Sequence, residues 1–306
     1  MKSHTGIVLL AMALCINLAA YGQNVQDTTR IFRIETNDGN IFTGHILNQD
    51  STSLVLMTEK LGEIRIPLSE IRSKTELNQV LVVDNKIWLP NPQSGRYFWA
   101  PNGYGLEEGS SYYQNIWVLY NQMSFGLSNN FSLGAGIVPL FLFAGAPTPA
   151  WIVPKISIPI VRDRMNIGTG ALVGTILGED SGVFGLLYET TTFGSRDKNL
   201  SVGLAYGFAS GGWMARPIIN ISTMIRTGPK GYFISENYII PYKTIDWDYY
   251  DSSTRYKSAV VISLGGRSII RNIGLDYSLW IPINTNSETF LAIPFLGVTI
   301  PMGKVK

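Results

Sequence analysis

The sequence predicts an all-β chain: a transmembrane antiparallel β-barrel of about twelve strands, preceded by a small separate β unit. Three observations carry this. Charged residues make up 15% of the 306 residues and aromatics 11%, so charge falls well below the usual quarter. Mean hydropathy is positive, yet beyond residue 22 no apolar run is long enough for a membrane helix. From Arg96 onward, short segments alternate large apolar residues with small or polar ones, the period of a strand.

Residues 182–210 show the pattern best. Leu200, Val202, Leu204, Tyr206 and Phe208 alternate with Ser201, Gly203, Ala205 and Gly207. Phe184, Leu186 and Tyr188 give the partner segment an apolar face, with Glu189 opposite. A soluble sandwich would turn charges to water on its second face. A face of glycine, serine and alanine suits a crowded interior, with the apolar face against lipid.

Taken in order, residues 1–22 read as a secretory signal. Lys2 supplies the positive start, Ile7 to Ala20 the apolar core, and Ala20-Tyr21-Gly22 the small residues of a cleavage site. Cys15 is the only cysteine, and Leu14 stands where a lipid-anchor signal needs a small residue. The mature chain is therefore expected to hold neither disulfides nor thiolate metal sites.

Residues 30–72 form the small unit, with alternating segments at 31–36, 41–47, 53–58 and 63–67. Asn37-Asp38-Gly39-Asn40, Asn48-Gln49-Asp50-Ser51 and Lys60-Leu61-Gly62 are turn signals between them. The turn spacing and the closing I-P-x-x-x-I at 66–71 resemble small five-stranded barrels of the SH3 or Sm-like type. His45 stands alone in the second segment and reads as structural. The unit has no basic or aromatic stripe, and the net charge of +2 is scattered along the chain, so no nucleic-acid partner is expected. Residues 73–93 read as a linker whose end, Trp88-Leu89-Pro90-Asn91-Pro92, is extended and proline-rich.

Residues 94–306 are read as the barrel. Strands are predicted near 95–105, 112–127, 131–142, 150–161, 164–177, 182–194, 199–210, 216–227, 231–242, 257–270, 273–283 and 289–302. Tight breaks at 128–130, 162–163, 195–199, 228–230 and 271–272 fall at every second connection. The longest break, 243–256, carries Asp246, Trp247, Asp248, Tyr249, Tyr250 and Asp251 and is the candidate extracellular loop. Outer-membrane barrels have short periplasmic turns and longer outer loops. That places the small unit in the periplasm and requires an even strand number, and this parity recruits 95–105, the weakest segment.

Lys155, Glu189, Arg226, Arg267 and Asp276 alternate against apolar neighbours and are expected in the lumen. Glu236 is less decided, because Ile234 and Tyr238 share its face. An Arg or Lys on the lipid face near the midplane costs roughly 2–4 kcal/mol. These charges either pair and tie the wall together or line a solute path. Gly134, Gly136, Gly168, Gly170, Gly174, Gly203 and Gly207 argue for close packing inside or for room around a narrow lumen. The two histidines, His4 and His45, lie outside the barrel. Ser–His chemistry and His-ligated metals are thereby excluded there. Glu189 and Glu236 as a glycosidase pair lie on strands that are not neighbours in order. No phosphate loop, zinc spacing or dinucleotide fingerprint is present, so no enzyme and no cofactor is expected.

N-P-x-x-x-R-Y-F at 91–98, A-P at 100–101, Y-Y-Q-N at 112–115, F-G-L-S-N-N-F-S-L-G-A-G at 125–136, P-K at 154–155, T-F-G at 192–194 and S-E-N at 235–237 resemble outer-membrane barrel proteins of the Bacteroidota. The resemblance spans roughly 88–300 and implies a barrel set in outer-membrane lipid, not a substrate. The functional expectation is a narrow channel or a small-solute binding barrel with a periplasmic β domain. The alternative is a structural barrel with a filled lumen, docking a periplasmic protein or peptidoglycan through residues 30–72.

Overall fold

The computed structural model describes residues 31–58, 60–77, 81–83, 86–180, 182–248, 251–283 and 291–302. The stretch 1–22, expected to be a secretory signal, and Tyr249 and Tyr250 of the candidate loop lie outside them. The chain divides into two compact units, Met1–Ile87 and Trp88–Lys306.

In the first unit, β1 (Ile31–Thr36), β2 (Ile41–Gln49), β3 (Ser53–Thr58), β4 (Gly62–Pro67) and β5 (Ile71–Leu77) form an antiparallel sheet in the order β4-β3-β2-β1-β5. Ile34, Leu54, Leu56 and Ile66 form its core, with Phe32, Phe42 and Ile46 packed against them. At the β2–β3 turn the Asp50 carboxylate accepts the N–H groups of Thr52 and Ser53, both at 2.7 Å. Those two bonds hold its pKa well below the usual carboxylate range. β5 runs past residue 72, where the sequence pattern ends the unit. Its Arg72, Ser73 and Lys74 break the apolar alternation, and pairing with β1 (Arg33↔Thr75, Ile34↔Lys74) makes it a strand. β6 (Leu81–Val83) and β7 (Lys86–Trp88) form a further two-stranded pair within the stretch read as linker.

The second unit is a closed barrel. β8 (Ser111–Ile116), β9 (Tyr120–Gly126), β10 (Phe131–Ile137), β11 (Thr148–Val161), β12 (Met165–Leu177), β13 (Val183–Gly194) and β14 (Lys198–Ala209) follow one another around the wall. After the two-residue β15 (Gly212–Trp213), the wall continues with β16 (Ile218–Gly228), β17 (Gly231–Asp248), β18 (Asp251–Ile270), β19 (Ile273–Ile283) and β20 (Ile293–Pro301). β20 pairs with β8 and closes the ring. A five-residue helix, α1 (Pro139–Phe143), follows β10.

The wall has the expected twelve strands, but two differences cancel to give that number. The segment 112–127 is two strands, β8 and β9, which reverse at Trp117-Val118-Leu119. Trp117 and Val118 take φ of 50° and 66° there, a conformation that Gly, Asn or Asp normally supplies. The segment 95–105 is not a strand; it lies inside the barrel. A third difference concerns 243–256. β17 and β18 hold 18 and 20 residues against 11 in β16 and 11 in β19, and their ladder continues through Asp246↔Ser253 and Trp247↔Ser252 to Asp248↔Asp251. The stretch around Asp246, Trp247, Asp248 and Asp251 is thus an extended hairpin rather than an irregular loop.

The faces are inverted relative to a soluble protein. Ile152, Leu264 and Leu296 are 49%, 52% and 54% exposed on the outside, while Thr192, Ser201, Ser263 and Thr299 are fully buried inside. Large aliphatic residues in contact with the surroundings and hydroxyls in the centre suit a wall set in hydrocarbon. Among the described residues no helix is long and apolar enough to cross a membrane. The strands make the crossing, and the fold is that of an outer-membrane β-barrel.

Candidate functional site

The lumen is built around residues 88–106. Prolines at 90, 92 and 101 deny this stretch a ladder. It folds instead as an irregular hairpin: Tyr97 N–H donates to Ala100 O at 2.9 Å, Arg96 bridges Pro101, and Asn102 N–H donates to Gly95 O at 3.1 Å. Leu89 N–H donates to Pro229 O at 3.2 Å, and Gly126 N–H to Ser110 O at 2.9 Å. Both anchors lie at the end of the barrel with the short turns. The chain therefore enters from that end, turns at Tyr97–Ala100 and returns. Gln93, Tyr97, Phe98 and Asn102 are fully buried.

A backbone without a sheet around it must find hydrogen-bond partners elsewhere. Here the lumenal charges supply them. Arg267 and Asp276, 0% and 1% exposed, form a two-pronged pair, Nε to Oδ1 at 2.6 Å and Nη2 to Oδ2 at 2.9 Å. The same guanidinium donates to Gln93 O at 2.8 Å, Tyr97 O at 2.8 Å, Asn91 Oδ1 at 2.9 Å and Gln93 Oε1 at 3.1 Å. Glu236 Oε2 accepts the N–H groups of Phe98 and Trp99 at 2.8 and 2.9 Å, and its Oε1 accepts the Tyr238 hydroxyl at 2.6 Å. Lys155 Nζ donates to Gly95 O at 3.0 Å and to Tyr104 O. Arg226 holds Leu89 O at 2.6 Å and Asp197 Oδ2 at 2.9 Å. Arg196 holds Gly105 O and Ser94 Oγ, each at 3.0 Å. Hydroxyls complete the grip, with Thr192 Oγ1 accepting Gly103 N–H at 2.6 Å.

The inward glycines are sites of close packing. A Cβ on Gly168 would stand 2.8 Å from Asn102 O of the plug, and one on Gly170 2.5 Å from the Tyr188 hydroxyl. The glycine-rich face thus makes room for the plug and for inward aromatic rings.

Five of the six candidate lumen charges therefore face inward: Lys155, Arg226, Glu236, Arg267 and Asp276. They do not converge on one point; each grips the plug or pairs with a residue that does. Glu189, expected in the lumen, does not face inward. It is exposed on the outer face, because β13 pairs with β14 in the register Glu189↔Leu204 and Tyr188↔Ala205. Leu204 and Ala205 face out and in respectively, so Phe184, Leu186 and Tyr188 turn inward and Glu189 outward.

Beyond the hairpin tip the lumen is not filled. A cavity of about 390 Å³ remains, a size within the small-molecule range. Trp99, Ala100 and Pro101 of the plug form its floor, and Val153, Leu172, Leu186, Ile218, Val261 and Trp280 stand in its wall. Aromatic contacts brace its base: Trp99 on Tyr120 and Tyr120 on Trp151, both at 4.6 Å between centroids, and Trp280 on Phe295 at 5.7 Å. The lining is almost wholly apolar; Arg96, Asn220, Tyr188 and Tyr238 bring polar groups to it, besides Glu189, whose side chain lies on the outer face. The lumen thus has two halves, a polar half filled by the plug and an apolar cup above it. Trp280 was legible in the sequence, since it shares a face with Asp276 and Ser278. Arg96 and Trp99 are not legible in it, because the apolar stretch Tyr97-Phe98-Trp99-Ala100 has the composition of a wall strand.

No family model and no curated protein matches the chain. Among solved structures it is similar to OmpT (in-vitro folded), an outer membrane protein of Vibrio cholerae, at 11% identity and a TM-score of 0.31, over 89% of this chain and 95% of that one. The trimer form of that protein gives 10% identity and a TM-score of 0.30 over 90% and 97%. The outer-membrane expressed form gives 11% and 0.29 over 90% and 95%. Likeness at this level carries no argument about function; the closed ladder and the inverted faces of this chain carry the assignment of fold.

Proposed function

We propose that the chain is an outer-membrane barrel that binds a small apolar solute in the cup, with its lumen shut beneath by residues 88–106. The carrying observation is the apolar cavity seated on a plug whose backbone is held from many strands. The short-turn end faces the periplasm in this reading, so the cup opens outward. An open channel is disfavoured, since the polar side chains that would line it are spent on the plug.

The test uses the full chain in lipid nanodiscs with the neutral probe N-phenyl-1-naphthylamine. Saturable fluorescence enhancement is expected, and Ala205→Phe, which puts a ring into the cup from β14, abolishes it. Equal signals from the two proteins would mean partition into lipid alone and would overturn the reading. The well-held plug also supports a structural barrel whose N-terminal sheet docks a periplasmic protein or peptidoglycan. A chain that binds no probe but crosslinks such a partner through Lys74 selects that second reading.

A further inference from the structure

The polar half of the lumen contains more cations than carboxylates to meet them. Asp276 is taken by Arg267 and Asp197 by Arg226. Both oxygens of Glu236 are engaged by Phe98 N–H, Trp99 N–H and the Tyr238 hydroxyl. Arg96 is left without a carboxylate among the described residues; its guanidinium donates to Gln114 Oε1 at 3.1 Å and to the Tyr120 hydroxyl, both neutral partners. It sits beside the plug tip and lines the cup. Tyr188, 8% exposed, lines the same cup, and its hydroxyl has no hydrogen-bond partner among the described residues. A buried donor without an acceptor is costly, and a guanidinium in an apolar-walled space attracts an anion.

We propose that the cup takes an amphipathic anion, a single carboxylate on a hydrocarbon or aromatic body, with the carboxylate on Arg96 and the Tyr188 hydroxyl and the apolar body against the wall above the plug. This rests on the cup being a binding site and names its ligand class. A neutral hydrocarbon would fill the space but leave the guanidinium without a counter-charge and the Tyr188 hydroxyl without a partner. A dianion or a sugar would bring polar groups that the wall of Val153, Leu172, Ile218 and Val261 cannot pair. Guanidinium and hydroxyl together recognise one planar head, and the body selects by volume.

The experiment is displacement of the naphthylamine probe from the full chain in nanodiscs, by decanoate and by decanol, at mildly alkaline pH. Decanoate is expected to displace at a concentration about tenfold lower than decanol, the size of one charge-assisted contact. Arg96→Gln should remove the preference, Arg96→Lys should keep most of it, and Tyr188→Phe should reduce it by a smaller factor. If Arg96→Gln does not fold, Tyr188→Phe and Arg96→Lys carry the test. Probe binding with equal displacement by acid and alcohol overturns the ligand class and leaves the cup standing. Absence of saturable probe binding overturns the cup itself, and the ligand class with it.

Discussion

Glu189 shows where single residues escape pattern reading. On β13 both parities are apolar, Phe184, Leu186 and Tyr188 on one and Leu187 and Phe193 on the other. Alternation alone therefore cannot say which is the lipid face. The pairing with β14 decides it, and pairing is a property of two strands. Lys155, Arg226, Arg267 and Asp276 were legible because their own strands alternate cleanly. Glu236 was ambiguous for the same reason that Glu189 misled: its same-face neighbours Ile234 and Tyr238 are large. Glu189 now stands on the outer face between Thr169 of β12 and Leu204 of β14. A carboxylate in the hydrocarbon belt costs less than Arg or Lys but still destabilises. Glu189→Leu is expected to stabilise the barrel by about 1–2 kcal/mol, read as a raised urea midpoint in lipid vesicles. A lowered midpoint would show that the carboxylate is satisfied in place, and would remove this account.

At the scale of elements, the wall strands were readable and the plug was not. A strand's alternation is written in its own residues, so β11 to β14 and β16 to β20 fall close to where the pattern predicts them. The plug's conformation is set by partners far along the chain: Arg267 and Glu236 lie about 140 to 170 residues from the backbone groups they bind. Nothing local to 88–106 encodes that, and an apolar stretch such as Tyr97-Phe98-Trp99-Ala100 passes for a strand. The β8–β9 reversal was hidden for a different reason, since Trp117 and Val118 are poor turn residues. Its conformation is imposed by the ladder on either side. The plug account makes a prediction about Arg267. Arg267→Met leaves Asp276 buried and unpaired and removes the guanidinium's bonds to Asn91, Gln93 and Tyr97. Stability should fall by about 3–5 kcal/mol, and hydrogen exchange across 91–105 should quicken. Adding Asp276→Leu relieves the orphaned charge, so barrel stability should recover in part while the plug stays fast. Recovery of plug protection in the double variant would mean that the ion pair, not the grip on the backbone, orders the hairpin.

At the scale of the molecule, the barrel is a container with its polarity divided along its axis. Strand ends near the short turns contribute Thr192, Ser201, Arg226, Arg267 and Asp276, and these need a polar filling. The strand centres and upper parts contribute Leu172, Leu186, Ile218 and Val261, which do not. The plug is therefore a filling that the wall is built to receive, while the ladder itself contains no plug residue. That separation lets the two be tested apart. Excising residues 92–105 leaves every wall pairing intact. The charges it exposes would meet water in an opened lumen rather than remain buried, so the desolvation cost that makes orphaned charges destructive does not arise. The full chain is expected to be silent in planar bilayers, and the excised chain to show discrete conductance steps, with the barrel still resistant to unfolding. The apolar cup loses its floor in the same change, so the excised chain should also lose saturable probe binding. Conductance of the full chain equal to that of the excised one would show that ions pass beside the hairpin. The lumen would then be a channel, and the cup one widening along it.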